Sequence, residues 1–184
     1  MAVSQYSLTT LEEAKTYLGI AASDTGRDAL LESLIDAVSE AAQALTGRIF
    51  IARPVSGEPH QGGGNCLQLD HYPVLSVQSV SENGAELAAS GYQAELRGGI
   101  LTKNGRWGET VLASYTPGYG QTHADVPRPV KLACWLWLAA LLDQANPDVS
   151  QERMGEYSVS YLEPESALPK KAALLLEPFR KRTV

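Results

Sequence analysis

Three histidines, two cysteines and a run of three glycines are the residues from which a reaction centre in this 184-residue sequence would have to be built. His60, His71 and His123 lie in segments of loop or strand-edge character, and none stands four residues from a second ligand type on a helical stretch. Metal binding needs donors that converge at a defined spacing. His60, Cys66 and His71 are close in sequence, but Gln61-Gly62-Gly63-Gly64 between them fixes no geometry, and the segment reads as a polar loop. The glycines are not a phosphate loop, because no Gly-Lys-Ser/Thr follows them and no strand leads through them into a helix. There is no Gly-x-Ser-x-Gly elbow, and neither cysteine has neighbours that would lower its pKa. Cys66 and Cys134 lack CxxC spacing and are expected to be free thiols, at least one of them in the core. The expectation is a protein that is not an enzyme and takes no metal or cofactor.

Charge placement is the stronger signal. The chain carries a formal net charge of −6, with 44% hydrophobic and 20% charged residues, a composition that excludes wholesale disorder. Residues 1–167 hold 10 basic and 20 acidic side chains, net −10, whereas residues 168–184 hold five basic and one acidic, net +4. Within the acidic body, Asp28, Glu32, Asp36 and Glu40 recur every four residues and form a stripe on one helix face. Like charges at that spacing cost a few tenths of a kcal/mol per pair, so helix stability alone does not explain them. Two readings stand: a solvated face, or a surface that lines an aqueous channel or meets a basic partner. The basic tail reads either as a solubilising end or as a docking helix, with Leu168, Ala172, Leu175, Leu176 and Phe179 on an apolar stripe and Lys170, Lys171, Arg180, Lys181 and Arg182 around it. DNA binding through this tail is the alternative, and the electrostatic term that five cations supply on an acidic chain is small.

The elements that must position these residues follow from periodicity. Thr9 and Thr10 stand three residues before Glu12 and Glu13, the spacing of a capping box, which predicts a helix from about Leu11 to Leu18 ended by Gly19. A second amphipathic helix starts from Ser23 or Asp24 and runs to Gly47, with Leu31, Leu34, Ile35, Val38, Ala42 and Leu45 on its apolar side. From Arg48 to Gly64 the prolines and glycines predict a loop. Strand signals follow at Leu67 to Leu69, Val74 to Val80, Tyr92 to Leu96, Ile100-Leu101 and Thr110 to Tyr115, with a hairpin turn at Asn83-Gly84. Pro127 and Pro129 open a third helix from Val130 to Gln144 that is apolar nearly all round. Its longest apolar run, Leu132 to Leu142, falls well short of the roughly 18 residues of a membrane span. Trp135 and Trp137 on different faces of it are candidates for packing between subunits. Tyr157 and Tyr161, alternating with serines, predict a lone strand or extended arm and join them as candidates. The first residues show neither a basic start nor an apolar stretch before a cleavage site, so no secretory signal is expected.

Taken in order, the acidic helix pair, Thr46-Gly47-Arg48-Ile49-Phe50, Tyr72-Pro73-Val74, Ser114-Tyr115-Thr116-Pro117-Gly118-Tyr119-Gly120, Val126-Pro127 and Glu152-Arg153-Met154-Gly155-Glu156-Tyr157-Ser158-Val159-Ser160-Tyr161 resemble the head-tail connector, or adaptor, family of long-tailed bacteriophages and related prophages and gene-transfer particles. The resemblance spans Leu8 to about Arg182. It implies an α+β subunit that is mainly an α-helical bundle, with an inserted small antiparallel β-sheet and an extended C-terminal arm ending in a short helix. Residues 1–64 and 120–150 would form the helical core, 65–119 the β region, and 151–184 the arm and docking helix. It further implies a homo-oligomeric, twelve-fold ring in the virion, assembled in the host cytoplasm. The ring would sit below the portal protein, bind a stopper or tail-completion protein on its other side, and pass DNA without reading its sequence. The C-terminal segment would reach the portal, and the acidic stripe would line the channel.

Overall fold

The computed structural model describes residues 3–144 and 168–181. The described chain runs α1 (Leu11–Leu18), α2 (Asp28–Thr46), β1 (Val55–Gln61), β2 (Cys66–Gln68), β3 (Val74–Glu82), β4 (Ala85–Glu86), β5 (Gln93–Glu95), β6 (Ile100–Thr102), β7 (Thr110–Pro117), α3 (Arg128–Gln144) and α4 (Lys170–Leu176). Short 3-10 turns occupy Ala89–Gly91, His123–Asp125 and Glu177–Phe179. The chain divides into two compact units, one of Met1–Ala42 with Arg128–Arg180, the other of Gln43–Pro127 with Lys181–Val184.

The first unit is helical. Thr10 caps α1 through its hydroxyl, which accepts from the Glu13 N–H at 3.2 Å, while the Glu13 carboxylate accepts from the Thr10 N–H at 3.3 Å. This reciprocal pairing satisfies two amides that the first turn would otherwise leave open. Gly19 ends the helix at φ 70°, a left-handed conformation that costs glycine nothing. α1 lies on α3: Lys131 Nζ reaches Glu13 Oε1 at 2.6 Å, Trp135 Nε1 donates to Thr9 Oγ1 at 2.8 Å, and the Tyr17 and Trp135 rings stack at 5.3 Å. α4 packs on α3 from the other end of the chain, and Ala172 and Leu176 are fully buried. α2 begins at Asp28, later than Ser23 or Asp24. Asp24 instead turns its carboxylate to the Gly26 N–H at 3.1 Å, holding a bend where the helix was expected to start.

The second unit is built on β. A four-stranded antiparallel sheet has the order β1-β7-β3-β4, and a three-stranded sheet the order β2-β6-β5. The β3–β4 hairpin turns at Asn83 and Gly84, both at positive φ, as the dipeptide predicts. β7 alternates, placing Val111, Ala113 and Tyr115 inward with Leu67, Leu69, Val74, Val80, Leu101 and Trp107 in one apolar cluster.

Two expectations need correcting. The protein is not mainly an α-helical bundle: with 38% of the described residues helical and 24% in strands, it is a mixed α+β fold with two antiparallel sheets where one small sheet was expected. The excess β structure begins at β1, in the Arg48 to Gly64 stretch read as a loop and ahead of the residue-65 boundary. Its sequence, VSGEPHQ, has no β-branched run, and what makes it a strand is the ladder offered by β7. Pro59 is tolerated because β1 is an edge strand, with only one side paired. The expected extended arm, with Tyr157 and Tyr161, lies outside the described residues, as does Arg182.

Candidate functional site

Three of the segments that carry the family resemblance, around residues 48–52, Tyr72-Pro73 and residues 117–120, are distant in sequence and adjacent in the second unit. Arg48 Nη1 donates to the Tyr72 carbonyl at 2.7 Å and its guanidinium lies 3.8 Å over the Tyr72 ring. Phe50, fully buried, stacks on Tyr119 at 5.2 Å, and the Tyr119 N–H donates to the Phe50 carbonyl at 2.9 Å. The Ala52 N–H reaches the Gly120 carbonyl at 2.8 Å, and the Gly118 N–H the Pro73 carbonyl at 2.9 Å. The Arg-x-Phe, Tyr-Pro and Pro-Gly-Tyr-Gly motifs are therefore one knot of backbone and ring contacts. Gly118 sits at φ 142°, and a Cβ there would stand 2.8 Å from the Ala52 backbone. Gly118→Ala is therefore expected to cost about 1–3 kcal/mol of stability, read as a lowered urea midpoint with unchanged slope.

Beside the knot, β1 carries Glu58, only 9% exposed. Its carboxylate accepts from Tyr115 Oη at 2.7 Å and from the Asp70 N–H at 3.0 Å and lies 2.7 Å from His60 Nε2, and Tyr115 Oη in turn accepts from the His71 N–H at 3.0 Å. Burial first, then the bond to Glu58, pushes the Tyr115 phenol far above its ordinary range. Burial likewise lowers the His71 imidazole. The network ties β1, β7 and the Asp70-His71 turn together, with the His71 backbone amide as one of its donors. Sequence reading passed over it because no spacing motif links Glu58 to Tyr115. Among the described residues no group of three or more His, Cys, Asp and Glu side chains is placed to hold a metal. Cys66 is exposed and Cys134 buried, both free, and burial pushes the Cys134 thiol up to about 12.

The acidic stripe on α2 is partly spent within the chain. Asp28 pairs with Lys15, and Asp36 accepts from the Ser4 N–H at 3.0 Å and from the Ser7 hydroxyl. Glu32 is half-buried and Glu40 exposed. In the C-terminal segment, Ala172 and Leu176 are buried, Leu168, Leu175 and Phe179 half-buried, and Lys170, Lys171, Arg180 and Lys181 exposed. Arg180 pairs with Glu177 at 3.3 Å and Lys181 with Asp70 at 3.2 Å, while the Lys181 N–H donates to the Thr46 carbonyl at 2.7 Å. Trp135 and Trp137 are both half-buried.

Glu13 is the carboxylate with the clearest consequence for stability. Burial raises its pKa, but hydrogen bonds from Lys131, Thr9 and the Thr10 backbone outweigh it, so the net direction is downward. A carboxyl whose folded pKa is depressed adds stability above its unfolded pKa and loses it as pH falls through the folded one. Acid titration of the wild type should thus show a loss of stability below about pH 4.3 that Glu13→Gln flattens, measured by thermal unfolding at a series of pH values.

These features define a class: a mixed α+β subunit whose polar networks hold elements together and whose remaining exposed charge and apolar surface are suited to assembly. The family model described as head completion protein matches residues 7–182, and the chain belongs to that family. None of the curated proteins compared with the chain matches it. Among solved structures it is similar to the neck of an empty gene transfer agent particle computed with C6 symmetry, at 20% identity and a TM-score of 0.64, covering 100% of this chain and 94% of the other. It is also similar to the neck of a native gene transfer agent particle computed with C12 symmetry, at 19% identity and TM-score 0.62, with the same coverages. A third likeness is to the virion of a native gene transfer agent particle, at 20% identity and TM-score 0.61, again covering 100% and 94%. The resemblance to a head-tail connector family drawn from the motifs is thus upheld by the head completion family match, and the particle necks share the fold.

Proposed function

We propose that this chain is the subunit of a twelve-fold ring that sits below the portal at the DNA exit of the particle, joins the head to a stopper or tail-completion protein, and leaves an axial passage for DNA. The observation that carries the reading is the family match over nearly the whole chain, on a fold shared with particle necks solved under C6 and C12 symmetry. A ring subunit must bury two different faces against its neighbours, and the half-buried apolar residues of α3, Trp137 among them, supply surface of that kind. Glu40, the exposed member of the acidic stripe, is assigned to the channel wall, where negative charge would keep polyanionic DNA from sticking. The portal contact is assigned to the end of the C-terminal segment, at Leu175, Phe179 and Arg180. The subunit is made and assembled in the host cytoplasm before it enters the virion. Electron microscopy of the purified chain mixed with portal tests the reading: rings seated on portal are expected, and monomers that never join it would overturn it.

A further inference from the structure

Leu174 is 73% exposed, the most exposed of the large hydrophobic side chains described. It lies on the face of α4 opposite Ala172 and Leu176, which are buried in their own unit, so the side of the helix already in use cannot cover it. Lys170 and Lys171, both exposed, stand four and three residues before it and therefore flank it on the same face. The result is a hydrophobic knob bracketed by cations.

The same unit carries a matching socket. An open groove of about 760 Å³ in the second unit, lined by Pro59, His60, Trp107 and Glu109, sets an imidazole beside its carboxylate and is the poorer match to such a knob. The groove along α1 and α3, about 530 Å³, is better suited. The stacked rings of Tyr17 and Trp135 line it, with Tyr17 still 40% exposed, and Glu12 and Glu13 stand at its edge beside Thr10 and Thr16. It is therefore an aromatic socket with an acidic rim, complementary in both polarity and charge to the knob on α4.

From this complementarity we infer that Leu174 of one copy inserts into the Tyr17–Trp135 groove of the next, with Lys170 and Lys171 against the Glu12 side of the rim. Knob and socket are different patches of one chain, so the contact is heterologous and repeats from copy to copy, closing into a ring when the rotation closes. The inference rests on the ring reading and names the surfaces by which it would form.

The test is sedimentation velocity and negative-stain microscopy of the full-length chain over a range of concentrations. The wild type is expected to form concentration-dependent rings. Leu174→Asp should weaken association at least tenfold while the circular dichroism spectrum is kept, since Leu174 is not a core residue. Lys171→Glu and Glu12→Lys should each weaken it as well, and the double variant carrying both should regain rings, because positions 171 and 12 then again carry opposite charges. Rings of unchanged stability in Leu174→Asp would overturn this contact and leave the ring reading standing. A wild type that forms no oligomer at any concentration, alone or on portal, would overturn both.

Discussion

Tyr115→Ala is expected to lower the unfolding free energy by about 3–5 kcal/mol, the range for deleting a fully buried aromatic side chain. Tyr115 has no exposed surface and stands in the middle of β7, the strand that pairs with both β1 and β3. The alanine would remove apolar contacts from the cluster around Val80, Leu101 and Val111 and leave a cavity that the sheet closes only in part. It would also take the donor from Glu58, a carboxylate too buried to find water in its place. Tyr115→Phe isolates that second contribution. It keeps the ring and should cost about 1–3 kcal/mol, because the Glu58 carboxylate and the His71 N–H both lose the phenol. Urea unfolding followed by circular dichroism checks both values. A phenylalanine variant as stable as the wild type would mean that the network adds nothing to holding β1.

The second large effect falls in the C-terminal segment. Leu176→Ala should cost about 2–5 kcal/mol, the range for truncating a core leucine, and truncation after Pro164 should destabilise the helical unit. A tail that only docks would give the opposite result, with the body intact and attachment lost. The structure decides between them because Leu176 and Ala172 are both fully buried where α4 packs on α3. Removing α4 would expose an apolar face of α3 to water at about 25 cal/mol per Å² of uncovered surface. Thermal unfolding of the Leu176→Ala and truncated chains reads this directly, and an unchanged midpoint in both would show that α4 is peripheral. Substitution at Phe179, which is only half-buried, is the cleaner probe of attachment to a partner.

Legibility in the sequence tracked the range of the interaction. The α1 cap was readable because Thr10 and Glu13 are three residues apart and satisfy each other. The Asn83-Gly84 turn was readable because its two residues set their own φ angles. The apolar span of α3 was readable because no polar residue interrupts it. β1 was not, since Gly57 and Pro59 argue locally against a strand and only the partner β7 makes one. The Glu58–Tyr115–His71 network escaped for the same reason: Glu58 and Tyr115 are 57 residues apart, and nothing in either neighbourhood marks the pairing. The stripe and the tail show a third case. Their periodicities are plain in the sequence, but periodicity says which residues share a face and not what the face meets.

By itself, then, the sequence determined the local elements, the split between an acidic body and a basic end, and a motif order specific enough to point to the family. Those are properties of neighbouring residues, set by spacing and backbone preference. Tertiary structure alone decided that the fold is mixed α+β, that Asp28 and Asp36 are engaged by Lys15 and by Ser4 and Ser7, and that Ala172 and Leu176 are core. It also left Leu174, one position outside the expected docking stripe, as the most exposed of the large hydrophobic side chains described. The physical reason is that burial and pairing depend on what packs against a face, and those partners come from distant parts of the chain.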